Sequence, residues 1–242
     1  MSLNKKHTII IILCLTFGLL SCQDKTSKIW LHCANDINKA KYFQDKYAGL
    51  EIDITYVDSL QTLLVHKGNN DKRTPITLEQ WLDNVEMIND IGIWLDFKNL
   101  NRNNDTLILE ELDRLCSKYK IRKDNLIVES SAPYCLPIFQ DANYKTSFYI
   151  PKFKPKKSSQ SEIQRYTKYI RDAISKYNIT TISGYYYQYE FMRDSFPDKD
   201  VMIWYIHNNP MIRNRCIKLA NNDDNVKVLL VADEVPFYKN KQ

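Results

Sequence analysis

Two histidines bracket a pair of alternating carboxylates early in this chain. They are His32 in Leu31-His32, Glu51 and Asp53 in Leu50-Glu51-Ile52-Asp53-Ile54, and His66 in Leu64-Val65-His66. Histidine changes charge near neutral pH, so His32 and His66 can divide the work of general base and general acid. On a strand, successive side chains point to opposite faces, which puts Glu51 and Asp53 on one face and Leu50, Ile52 and Ile54 on the other. Two carboxylates held together repel unless a proton or cation intervenes, and hard oxygen ligands suit Mg²⁺ or Ca²⁺. A base, an acid and a cation that polarises a phosphoryl oxygen are the parts of metal-assisted phosphodiester hydrolysis.

Further polar residues fall at the ends of later apolar segments. Asp96 and Lys98 close Ile93-Trp94-Leu95-Asp96-Phe97-Lys98, Glu129 ends another segment, and His207 and Asp233 follow two more. Asp96 completes the candidate ligand set with Glu51 and Asp53, and Lys98 offers either a point charge for phosphate or a pairing partner for Asp96 or Glu51. Glu129 is read equally as lining the site or as a structural hydrogen-bonding group. Trp204, with the run Tyr185-Tyr186-Tyr187-Gln188-Tyr189, could wall off a glycerol, sugar or lipid group; aromatic packing is the alternative.

The elements that must position these residues alternate. Strand-like segments fall at 29–32, 50–56, 92–97, 126–129, 147–150, 180–183, 201–206 and 228–231. Helix-like segments fall at 38–47, 78–89, 107–119, 163–177 and 210–220, with shorter ones near 133–140 and 189–195. Eight strands alternating with helices predict an α/β chain folded as a single-domain TIM (β/α)8 barrel. Leu63 to His66 reads as the return of a β-hairpin inserted after strand 2, turning at Asp58-Ser59. Thr77 or Pro75 should open the second helix and Asp105 or Thr106 the third. An open doubly wound sheet would call for a glycine-rich phosphate turn, and Gly49, Gly68, Gly92 and Gly184 stand far apart.

The 242 residues begin with Lys5, Lys6, an apolar run from Thr8 to Leu20, and Ser21-Cys22. That arrangement reads as a secretory signal, too short for a comfortable membrane span. The segment before Cys22 resembles a bacterial lipobox, which implies cleavage before Cys22, lipidation there, palmitate included, and a protein exported and anchored on the periplasmic or cell-surface face of an envelope membrane. An ordinary cleaved or anchored signal is the alternative. The division expected is therefore a signal at 1–21, a tether at 22–28 and a barrel at 29–242. Of the 34 basic side chains two lie in the signal, against 29 acidic ones, and the balance is spread without a basic stripe, which argues against nucleic acid as a partner. Lys152 to Lys157 is the one local excess of positive charge, read as a solvated loop or as a contact for an anionic membrane or polyanion. Cys33, Cys116, Cys135 and Cys216 show no C-x-x-C spacing and read as free thiols.

The order His32, Glu51-x-Asp53, His66, Asp96-x-Lys98 resembles the glycerophosphodiester phosphodiesterase group of phosphatidylinositol phospholipase C-like TIM barrels. That group runs H-R-G, E-x-D, H-D after a hairpin, and E-x-K. Met202 to Asn208 resembles its tryptophan strand, and Val228 to Pro236 its closing T-D-x-P. The resemblance implies a phosphoric diester hydrolase acting on glycerophosphodiester or phospholipid-like substrates, with a small phosphodiester or a lipid headgroup as ligand. Cys33-Ala34-Asn35 replaces Arg-Gly after His32, Lys67 replaces the acid after His66, and Asp96 is one methylene shorter than the expected glutamate. The H-x-x-N start, with Thr77 to Leu82, is more similar to the menorin branch, which implies as an alternative a catalytically inactive barrel serving as a surface binding or adhesion lipoprotein. A glycoside hydrolase using Glu129 and Asp96 is the remaining reading, and it leaves both histidines unexplained.

Overall fold

The structure, a computed structural model, describes residues 27–66, 74–207 and 209–236. The strands are β1 (Ile29–Leu31), β2 (Gly49–Val57), β3 (Thr62–Val65), β4 (Ile76–Thr77), β5 (Gly92–Phe97), β6 (Leu126–Ser130), β7 (Lys145–Tyr149), β8 (Thr181–Tyr185), β9 (Asp200–Tyr205) and β10 (Val226–Val231). The helices are α1 (Ile37–Phe43), α2 (Leu78–Leu82), α3 (Asp105–Tyr119), α4 (Leu136–Asp141), α5 (Gln160–Tyr177), α6 (Tyr189–Ser195) and α7 (Pro210–Asn222). The parallel strands β1, β2, β5, β6, β7, β8, β9 and β10 pair in that order, and β1 pairs with β10 on one side and β2 on the other. The sheet therefore closes into the expected eight-stranded barrel. The hairpin after the second barrel strand is present too: β3 runs antiparallel to the outer half of β2, with Ile54 opposite Val65, and β4 follows antiparallel on β3.

Closure separates the apolar residues into two populations. Leu31, Leu50, Ile52, Ile93, Leu95, Val128 and Ile182 point outward into the layer covered by the helices. Trp94, Ile127, Met202, Trp204, Val228 and Leu230 form a distinct cluster with Trp30, Tyr149 and Tyr185, which is the filled interior of the barrel. At the floor, the Trp30 ring lies against Gly49 and Gly92, register partners on β2 and β5; a Cβ on either glycine would fall within 2.5 Å of the indole. Absence of a side chain at these two positions is what admits the indole. Ser27 stands at this end as well, among Ala48, Gly92 and Thr180.

Two helices depart from the periodic pattern. The second stops at Leu82 rather than continuing to Asn89, because the Asn84 side chain takes the Gln80 carbonyl at 2.8 Å, the acceptor a further helical turn would need. Its start is as expected, with Thr77 and Gln80 forming a capping box. The first spans Ile37–Phe43, shorter than the apolar spacing to Tyr47 suggests. The third has Asn104, not Asp105 or Thr106, at its N-cap, and the Asn104 side chain is occupied in the preceding loop by Asn101 N–H and the Asn99 carbonyl.

Candidate functional site

Parallel pairing without offset brings one polar layer together at the carboxyl ends of the strands. Asp53 on β2 is in register with Asp96 on β5, Asp96 with Glu129 on β6, and Glu129 with Ser147 on β7. One layer deeper, Glu51 is in register with Trp94. Carboxylate oxygens of Glu51, Asp53 and Asp96 all lie within 4.8 Å of one another, so the three residues expected to share a cation converge.

The loop after β1 locks this cluster. Cys33 adopts a left-handed backbone (φ 56°), and its N–H donates to Glu51 Oε2 at 2.5 Å. The Cys33 thiol reaches Asp53 Oδ2 at 3.8 Å, in the position where the resemblance implies an arginine. Asn35 grips Asp53 from two sides: its Nδ2 donates to Oδ2 at 2.6 Å and its Oδ1 accepts from the Asp53 N–H at 2.9 Å. Trp81 Nε1 on α2 donates to the Ala34 carbonyl, and Lys39 Nζ on α1 to the His32 carbonyl, each at 2.9 Å. Asn35 was visible only as part of an H-x-x-N start; its clamp on Asp53 links residues 18 apart in sequence.

His32 places Nε2 3.8 Å from Glu51 Oε2 with its side chain 24% exposed, so its ring stands between the buried acid and solvent. His66 follows β3, and its backbone is fastened to β2: its N–H donates to the Asp53 carbonyl at 2.9 Å, and its carbonyl accepts from Thr55 Oγ1 at 2.9 Å. The hairpin thus returns His66 to the Asp53 end of β2. Lys67 and Gly68 lie outside the described residues, as do Cys22 and the signal.

Lys98 is turned inward onto the acids. Its Nζ lies 2.5 Å from Asp53 Oδ1 and also bonds Asp96 Oδ2. Burial opposes its charge, but Asp96, Asp53 and Glu51 outweigh that and hold it firmly protonated. Glu51 has the opposite fate: burial, then Asp53 and Asp96, push its pKa up to about 8, against Lys98 and the Cys33 N–H. Three carboxyl groups crowd round Lys98, and a donor set made of hard oxygens fits a divalent cation such as Mg²⁺ or Ca²⁺.

Glu129 is sealed inside the barrel. Trp94 Nε1 donates to its Oε2 at 3.0 Å and the Ser183 hydroxyl to its Oε1, while burial and then Asp96 raise its pKa well above the ordinary carboxylate range. Beside it the buried Ser147 hydroxyl has no hydrogen-bond partner among the described residues. Trp204, 8% exposed, packs edge-on to Trp94 and Tyr149 at ring separations of 6.2 and 4.9 Å and tilted against Tyr185 at 5.2 Å. Tyr149, not anticipated, belongs to this wall; Tyr185 continues it by stacking on Tyr187 at 5.1 Å. Asp233, which follows the last strand, accepts two hydrogen bonds of 2.9 Å from Arg213 and one from the Tyr47 hydroxyl. Cys33, Cys116, Cys135 and Cys216 form no disulfide with one another among the described residues.

No protein-family model matches this sequence, and no curated protein matches it either. Solved structures do. A glycerophosphodiester phosphodiesterase from Parabacteroides distasonis superposes with a TM-score of 0.61 at 12% identity, covering 90% of this chain and 97% of that one. A phosphodiesterase from Oleispira antarctica, solved with the product sn-glycerol-3-phosphate, gives a TM-score of 0.60 at 9% identity over 86% of this chain and 93% of its own. The fold is a TIM barrel shared with glycerophosphodiester phosphodiesterases. At such identities the likeness carries the architecture, and the chemistry rests on the residues at the mouth.

Proposed function

We propose that this protein is a metal-assisted phosphodiester hydrolase acting on glycerophosphodiester or phospholipid-like substrates. The observation that carries the reading is the convergence of Glu51, Asp53 and Asp96 beneath a partly exposed His32 at the open end of the barrel. Glu51, Asp53 and Asp96 would hold Mg²⁺ or Ca²⁺, which when bound supplies Lewis-acid stabilisation of the phosphoryl oxygens. His32 and His66 serve as the acid/base pair, a contribution of roughly 10²- to 10⁴-fold for each proton transfer. Asn35 and the Cys33 N–H orient Asp53 and Glu51, and Lys98 replaces part of the positive charge lost with the arginine. The glycerol phosphate product bound by the Oleispira enzyme supports a glycerophosphodiester as the first substrate to try.

Purified protein assayed on glycerophosphodiesters with Mg²⁺, Ca²⁺ or chelator tests this. Turnover lost with chelator, and lost in His32→Ala and Glu51→Ala while the circular dichroism spectrum is kept, is the expected result; turnover unchanged in both variants sinks the assignment.

One observation favours a second reading. Lys98 already bonds both Asp53 and Asp96, and Cys33 occupies the expected arginine position, as in a barrel that keeps its pocket and has given up catalysis for surface binding or adhesion. Metal-dependent turnover by pure protein rules that out. For location, we infer export and lipidation at Cys22; palmitate labelling that disappears in Cys22→Ala is the expected outcome.

A further inference from the structure

The aromatic side of the mouth borders a second concavity that the proposed chemistry does not use. It is a groove of about 730 Å³ between the loop after β7, the turn after β8 and α7. Its floor is apolar, with Ile206, Ile212 and Leu219, and tyrosines line one side. Five cations, Lys152, Lys154, Lys156, Lys157 and Arg215, face a single carboxylate, Glu190. Lys156 takes that carboxylate at 2.8 Å. Lys154, Lys157 and Arg215 have no carboxylate at ion-pair distance among the described residues. Positive charge gathered round a concave apolar floor favours an incoming anion.

The tyrosines give this groove a flat aromatic wall. The Tyr187 ring stacks on Tyr185 with 10° between planes, and Lys152 Nζ sits 4.7 Å above Tyr185. Tyr185 in turn packs on Trp204 inside the barrel, so one ring borders both the groove and the mouth.

We propose that this groove binds an anionic amphiphile: a phosphate or carboxylate taken by Lys154, Lys157 and Arg215, with an aromatic or alkyl part laid along the tyrosines and the apolar floor. A flat anionic bilayer would meet the exposed lysines but not the apolar floor. That the amphiphile is the far end of the molecule hydrolysed at the mouth rests on the hydrolase reading; binding in the groove does not.

Titration calorimetry of the full chain with phenyl phosphate, and separately with inorganic phosphate, tests this without turnover. Expected is saturable binding of phenyl phosphate, tighter than phosphate, weakened about tenfold by Lys154→Ala/Lys157→Ala. His32→Ala should leave it unchanged. Binding abolished by His32→Ala but kept by the lysine variants would put the ligand in the mouth and overturn the proposal. Equal affinity for phosphate and phenyl phosphate, no saturable binding, or binding of phosphatidylglycerol vesicles alone would overturn it too. Groove binding in a protein with no diesterase activity leaves this inference standing and removes only the hydrolase reading.

Discussion

The two sides of the barrel mouth are built on different physics. On β2 and β5 the residues are acids, Glu51 and Asp53 buried and Asp96 partly so, each held by directional bonds: Glu51 by Cys33, Asp53 by Asn35 and Lys98, Asp96 by Lys98. On β7, β8 and β9 the residues are rings, placed by edge contacts among Tyr149, Tyr185 and Trp204. Unpaired charge in a low dielectric is costly, so the acidic side admits few substitutions. Ring packing is a sum of many small attractions, and it tolerates exchange of similar shapes. Chemistry therefore sits on the brittle side, and selectivity can drift on the other.

The sharpest way to expose that difference is on the acidic side. His32→Ala should lower kcat/KM by roughly 10²- to 10⁴-fold in a diesterase assay, with the melting temperature little changed, because the ring is partly exposed. Glu51→Gln should separate the two quantities further. Burial and two neighbouring acids disfavour the Glu51 carboxylate, so removing its charge should raise the melting temperature of metal-free protein while turnover is lost. A fall in stability would mean that the charge is compensated more fully than by Lys98 and the Cys33 N–H.

Smaller effects belong to the boundary between the sides. Trp94→Phe keeps a ring in the interior but removes the donor to Glu129, and denaturant titration should show a loss of about 1–3 kcal/mol. Tyr149→Phe, on the aromatic side, should leave kcat within about twofold and stability within about 1 kcal/mol, the ordinary range for a volume-conserving exchange. If Tyr149→Phe proved as damaging as His32→Ala, the division of labour would be wrong.

All eight barrel strands were legible because each carries apolar residues on its outward face, and the hairpin because Asp58-Ser59 separates two alternating runs. Glu51, Asp53 and Asp96 were legible as a cluster once their strands were adjacent, since spacing within a strand decides the face. Lys98 was ambiguous between phosphate and carboxylate, and only proximity resolves it toward the acids. Asn35 on Asp53 and Trp81 on the Ala34 carbonyl bridge distant segments, and no local pattern encodes such a bond. The early end of α2 depends on one asparagine side chain outcompeting the next helical turn. The lysine run 152–157 read as an excess of charge; its partner surface, α7, lies some sixty residues further along the chain.

The position of Ser27 has a consequence for supply. Lys28, beside it, is tied by Nζ to the Ala220 and Asp223 carbonyls at 3.0 and 2.9 Å, so the chain enters the barrel at the floor. With a lipid on Cys22, the leash to Ser27 could extend no more than about 20 Å. Such a leash would hold the floor toward its own bilayer and aim the opening into the surrounding compartment. The molecule would then draw on solutes and amphiphiles passing by ahead of the lipids that moor it.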